Sequence, residues 1–329
     1  MIRAPIAAIA ICTFAAQPQS SEILRMQRVI PLPGVQGRID HLSVDVKDQR
    51  LFVAALGNNS LEVIDLAARK VLQSLGGLQE PQGVIYVPDF QKVFVASGGD
   101  GKCRIYDASS MKLAEAVDFS GDADNVRYDA ARKQIYVGYG NGALGILDAA
   151  TNKRLGDIPL DAHPEAFQLE RSGPRIFVNV PKAGHIAVVN RDKRSVITKW
   201  NVTGASANYP MALDEANHRL LIGCRKPPQV LVYDTTSGKQ VAAVPSSGDA
   251  DDLFYDAARK RVYLSAGEGF LDVFQQRNAN HYERIAKVAT TPGARTSLFV
   301  AEFNQLYLAV PHRGARRCEI RIYDLEATK

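Results

Sequence analysis

One short pattern recurs seven times along this chain, at intervals of 41 to 44 residues, and it restricts the fold before anything else is considered. The copies are QRLFVAA (49–55), QKVFVAS (91–97), KQIYVGY (133–139), PRIFVNV (174–180), HRLLIGC (218–224), KRVYLSA (260–266) and NQLYLAV (304–310). A period of this length, rich in β-branched and aromatic residues, is the signature of a propeller blade. The expected fold is all-β: a seven-bladed β-propeller with four-stranded blades.

Residues 39–78 show how one blade is written. IDHLSVDV, LFVAAL, LEVIDL and VLQSL have strand composition, and KDQR, GNNS and AARK between them have turn chemistry. The strands are almost continuously apolar, as required when both faces of a blade pack against neighbours. Third strands end in Asp65, Asp107, Asp148, Asn190, Asp234 and Asp324. A short side-chain acceptor there can bond the amides of the following turn, so these residues are assigned a structural role. The chain ends just after a third strand, IYDLEA (322–327), while MQRVIPLPG (26–34) resembles the fourth strands of other blades. The N-terminal segment is therefore expected to complete the last blade and close the ring, which removes exposed sheet edges.

The second and third strands, clearest in KQIYVGYGNGALGILDAATNK (133–153) and KRVYLSAGEGFLDVF (260–274), resemble the YVTN-repeat family and its exported YncE-like propellers. The resemblance covers residues 26–329. It implies the propeller fold and is weak for function, because similar propellers include surface proteins, ligand binders, a DNA binder and lyases. No catalytic His/Glu set of the streptogramin lyases maps onto this chain, and fold alone does not give activity.

The N-terminus reads differently. A short basic start, MIR, precedes apolar APIAAIAICTFAA (4–16) and polar QPQSSE (17–22), the layout of a secretory signal peptide. The expected organisation is a leader over 1–20 and a single propeller over 21–329. The mature chain would be periplasmic or secreted and monomeric, with no membrane span. Cys103, Cys224 and Cys318 lie outside the leader, and an odd number cannot all pair internally, so buried free thiols are expected. The net charge of +5 is spread without a run of five like charges, which argues against a dedicated nucleic-acid surface.

Function is sought where the repeat departs from itself. The loop entering each first strand and the loop between second and third strands share one face, around the channel mouth. Aligned there, one position reads Asp40, Gln82, Asp124, Glu165, Tyr209, Asp251 and Arg295. The next reads His41, Gly83, Asn125, Ala166, Pro210, Asp252 and Thr296; Arg38 and His163 lie just upstream. After the second strands, Lys182, Lys226, Glu268 and His312 replace the small residues of other blades, with Arg225 beside Lys226. Converging unlike charges in a concavity suit a polar ligand site. SGDADNVRYDAARKQIYV (120–137) and SGDADDLFYDAARKRVYL (247–264) are nearly identical, and they would present carboxylates from opposite sides of the ring.

Two functions follow from this set. The leading expectation is an exported binder of a small polar or anionic ligand, or of a charged segment of another exported protein, through the residues just named. The alternative is a lyase or hydrolase assisted by a divalent cation such as Ca or Mg. Asp40, Asp124, Glu165 or Asp251 would hold the metal, His41 or His163 would act as base, and Arg295 or Arg225 would stabilise an anion. A calcium loop, HExxH, GxSxG and a P-loop are all absent. A broad interaction face is a third reading.

Overall fold

A computed structural model describes residues 23–326; the leader read over residues 1–20 lies outside them. The described residues form seven four-stranded antiparallel sheets arranged as the blades of a propeller. In blade one the strands are Leu42–Asp45, Arg50–Ala55, Ser60–Asp65 and Lys70–Leu75, from the axis outwards. No helix among the described residues is long and apolar enough to cross a membrane.

The even apolarity of the strands has a direct cause. Side chains alternate between the two faces of a strand. Leu51, Val53 and Ala55 pack into a cluster shared with blade seven, whereas Phe52 and Ala54 pack into one shared with blade two. The core is accordingly divided into seven clusters, one at each junction between blades.

The basic residue that opens most second strands also has a repeated task. Arg50 Nη1 donates to Ala108 O (2.5 Å) and Lys92 Nζ to Ala149 O (3.0 Å), each reaching the outer turn of the next blade. Arg175 donates likewise to Thr235 O, Arg219 to Ala279 O and Arg261 to Glu326. The third-strand acceptors behave as Asx turns: Asp65, Asp107, Asp148, Asn190 and Asp234 accept from amides three residues onward. Asp324 instead accepts from Gln305 Nε2.

Closure takes place in blade seven. The strand Leu24–Pro31 pairs antiparallel with Glu319–Leu325, from Leu24↔Leu325 to Pro31↔Glu319, with a bulge between Met26 and Arg28. Ile30 is fully buried in the junction with blade one. Cys103, Cys224 and Cys318 are free and buried. Trp200, on an outer strand, stacks on Tyr233 with ring centroids 6.3 Å apart.

Candidate functional site

The entry segments of the seven blades converge on a cavity of about 290 Å³ at one mouth of the channel. All seven aligned positions line it: Asp40, Gln82, Asp124, Glu165, Tyr209, Asp251 and Arg295. Arg38, His41, Asp122, His163, Lys182 and Arg225 complete the wall.

One half of the wall is a preassembled ion-pair array. Arg295 Nη1 bonds both oxygens of Asp249, at 2.9 and 3.0 Å, and its Nε lies 2.8 Å from Asp251 Oδ2. Arg225 donates to Asp251 Oδ1 (2.5 Å) and Ala250 O (2.8 Å), with its guanidinium carbon 3.8 Å from the centre of the Tyr209 ring. Planar guanidinium groups suit this combination of forked hydrogen bonding and stacking. Burial raises the Asp251 pKa, although Arg295 and Arg225 pull it back.

The other half carries the histidines. His163 Nδ1 lies 2.7 Å from Gly140 O, with Asp122 and Asp124 oxygens at 3.6 and 3.8 Å from its ring nitrogens. Burial works against its charge, but the Asp124 contact, the Gly140 carbonyl and Asp122 outweigh it and raise the pKa to about 9. His41 lies 3.6 Å from Asp252 and 3.8 Å from Asp40. Burial again opposes the charge, and Asp252, Asp40 and Asp124 together bring the pKa to about 10. Both imidazoles therefore hold their protons at neutral pH and face the cavity as donors.

Two carboxyls move the other way. Glu165 is raised to about 8, first by burial and then by the nearby Asp124 charge, against the pull of His163. Asp40 is raised to about 7 by burial, partly offset by His41 and by Arg38, whose Nη2 is 2.7 Å away. Crowded carboxylates in a partly desolvated site ionise reluctantly. The wall thus offers hydrogen-bond donors from Arg38, Lys182, His41, His163 and protonated Glu165.

Four of the residues singled out in the sequence lie off the wall. Asp252 Oδ2 accepts from Ser297 N at 2.7 Å and serves the site by holding His41. Asn125 is buried behind the lining, and its Oδ1 has no hydrogen-bond partner. Glu268 caps Gly248 N at 2.6 Å, with Lys287 at 4.0 Å. His312 is fixed by its backbone, which donates to Gly37 O and Cys318 Sγ.

Solved structures with the same architecture include a chain from the crystal structure of the mitotic checkpoint complex. It has a TM-score of 0.77 and 13% identity, with 99% of this chain and 100% of that one aligned. Hydrazine synthase from Kuenenia stuttgartiensis has a TM-score of 0.75 and 13% identity, with 91% and 96% aligned. The seven-bladed propeller is shared. At this identity the likeness concerns the fold alone. No protein-family model and no curated protein matches the chain.

Sequence reasoning missed Asp122 and Asp249. They occupy the same place in the two near-identical segments, and both adopt positive φ, 30° and 59°. That conformation swings each carboxylate over the rim, Asp122 to Gln82 and His163, Asp249 to Arg225 and Arg295. The SGDAD duplication was the available signal: its matched DADN and DADD segments begin at these two residues, and the aligned mouth position falls two residues further on, at Asp124 and Asp251. Among the described residues no three Asp, Glu, His or Cys side chains are arranged to hold a metal ion. Asp40, Asp124 and Asp251 instead face cationic side chains.

Proposed function

We propose that this chain is an exported propeller of the YVTN-repeat type that binds a small polar ligand bearing an anionic group at the channel mouth. The observation carrying this reading is the unequal use of the wall's cations. Arg225 and Arg295 are consumed by Asp249 and Asp251. Lys182 has no carboxylate within 4 Å among the described residues, and Arg38 is 45% exposed beyond its single contact with Asp40. Lys182 and Arg38 stand on different blades, so an anion entering between them would meet charge-assisted donors from two sides. Protonated Glu165, His41 and His163 add donors deeper in, where sugar or carboxylate oxygens would be received. A propeller also commonly serves as an interaction scaffold, and a partner's acidic segment would use the same donors.

The enzymatic alternative gains less support. A general base must be free of its proton at the working pH. His41 and His163, the candidate bases, both retain theirs at neutral pH, which leaves Asp40, raised to about 7, as a shifted wall group partly ionised there.

Isothermal titration with galacturonate, citrate and inorganic phosphate tests the binding reading. At least one should bind saturably, and Lys182→Ala and Arg38→Ala should each weaken it about tenfold. Absence of saturable binding across the panel, or binding indifferent to both substitutions, would overturn it. Export is tested by fusing residues 1–20 to a reporter that is active only outside the cytoplasm.

A further inference from the structure

A second cavity, of about 520 Å³, opens on the face opposite the mouth, between blades three and four. Its charge is unbalanced: four arginines line it against two carboxylates. Both carboxylates are already engaged. Asp129 receives Arg191 at 2.5 Å and Arg132 at 3.3 Å, and Glu170 receives Arg175. Arg127 and Arg171 have no carboxylate within 4 Å of either guanidinium among the described residues, although Glu215 accepts from the Arg171 backbone N at 3.0 Å.

Arg127 is the more informative of the two. It stands on the inner strand Ala123–Asp129, three residues beyond Asp124, hence roughly 10 Å down the channel from the mouth. Its Nη1 donates to Val126 O at 2.8 Å, and its guanidinium lies over the Phe167 ring at 5.5 Å. In the other blades the residue opposite the same second-strand position is Ser43, Ile85, Gln168, Ala212, Phe254 or Leu298. The blade architecture is therefore satisfied without a charge there. Burial lowers the Arg127 pKa in spite of the more distant Asp252 and Asp124. Arg127 is only partly buried, and an anion bound in the cavity would supply the charged partner it lacks.

The remaining wall is apolar in part, through Tyr128 and Leu169. We infer that this cavity is a binding site for a small organic anion, with its carboxylate between Arg127 and Arg171 and its apolar body against Tyr128 and Leu169. The volume falls in the range of small-molecule sites. No residue lines both cavities.

Benzoate and its neutral counterpart benzamide, titrated calorimetrically into the full chain, provide the test. Benzoate should bind saturably and benzamide at least tenfold more weakly. Arg127→Gln and Arg171→Ala should each weaken benzoate tenfold or more, and Lys182→Ala at the mouth should leave it unchanged. Arg171 is exposed, so its variant remains informative even if Arg127→Gln disturbs folding. No benzoate binding, equal affinity for benzamide, or a loss seen with Lys182→Ala instead of the arginine variants would each overturn the inference.

Discussion

Replacing Glu165 by Gln isolates the electrostatic character of the mouth. Glutamine has the shape and donor capacity of the protonated acid, so it reproduces the state that Glu165 holds at low pH. A carboxyl whose folded-state pKa lies above its unfolded value supports the fold fully below the unfolded pKa. That support is lost as pH rises through the folded pKa. For Glu165 the window runs from 4.5 to about 8. A displacement of that size corresponds to roughly 5 kcal/mol at about 1.4 kcal/mol per pH unit. Glu165 borders an open, hydrated mouth, and screening there reduces the expected effect to about 1–3 kcal/mol. Urea unfolding of both proteins at pH 4.5 and pH 9 measures it. His41 and His163 titrate in both, so to first order they cancel. The stability of Glu165→Gln relative to the parent should rise by about 1–3 kcal/mol between the two pH values, at constant m. A difference that stays flat, or falls, would refute the assignment of a buried proton to Glu165.

Other outcomes follow from the same structure. Ile30→Ala, in the closing strand, should cost about 2–5 kcal/mol in urea unfolding, whereas Val29→Ala on the exposed side of that strand should stay within about 0.5 kcal/mol. Asp65→Ala removes the acceptor for Ala68 N and should cost about 1 kcal/mol while leaving ligand titrations at the mouth unaltered. Burial pushes the Cys103 and Cys224 thiols up to about 12, so at pH 8 a thiol reagent should modify them only after denaturant is added. Modification in the native protein would contradict their placement.

Why some of this was legible in the sequence and some was not is a matter of periodicity. Blade number, the Asx turns and the N-terminal closing strand are each dictated by a local pattern that recurs, so one copy interprets another. The ring of seven mouth positions was legible for the same reason. Side-chain direction was not. Glu268 follows its second strand just as Lys182 does, yet caps Gly248 and does not line the mouth. Asp122 and Asp249 reach the rim only through a left-handed backbone that their residue type does not announce. Arg127 lies mid-strand, away from the entry loops in which the blades depart from the repeat. Its lack of a counterion is a tertiary fact, set by Asp129 and Glu170 being engaged by other arginines.

The closing pair of strands also fixes how the molecule would respond to force. Leu24 faces Leu325, and the chain leaves both strands at that same edge of blade seven. Tension applied on either side would load the rungs one at a time, starting with Leu24–Leu325, and would peel Leu24–Pro31 away like a zip. A strand pulled lengthwise past its neighbour would have to break all its rungs together. The ring therefore has a weak direction at its seam: low force should open blade seven first, while the six blades formed from continuous chain remain intact.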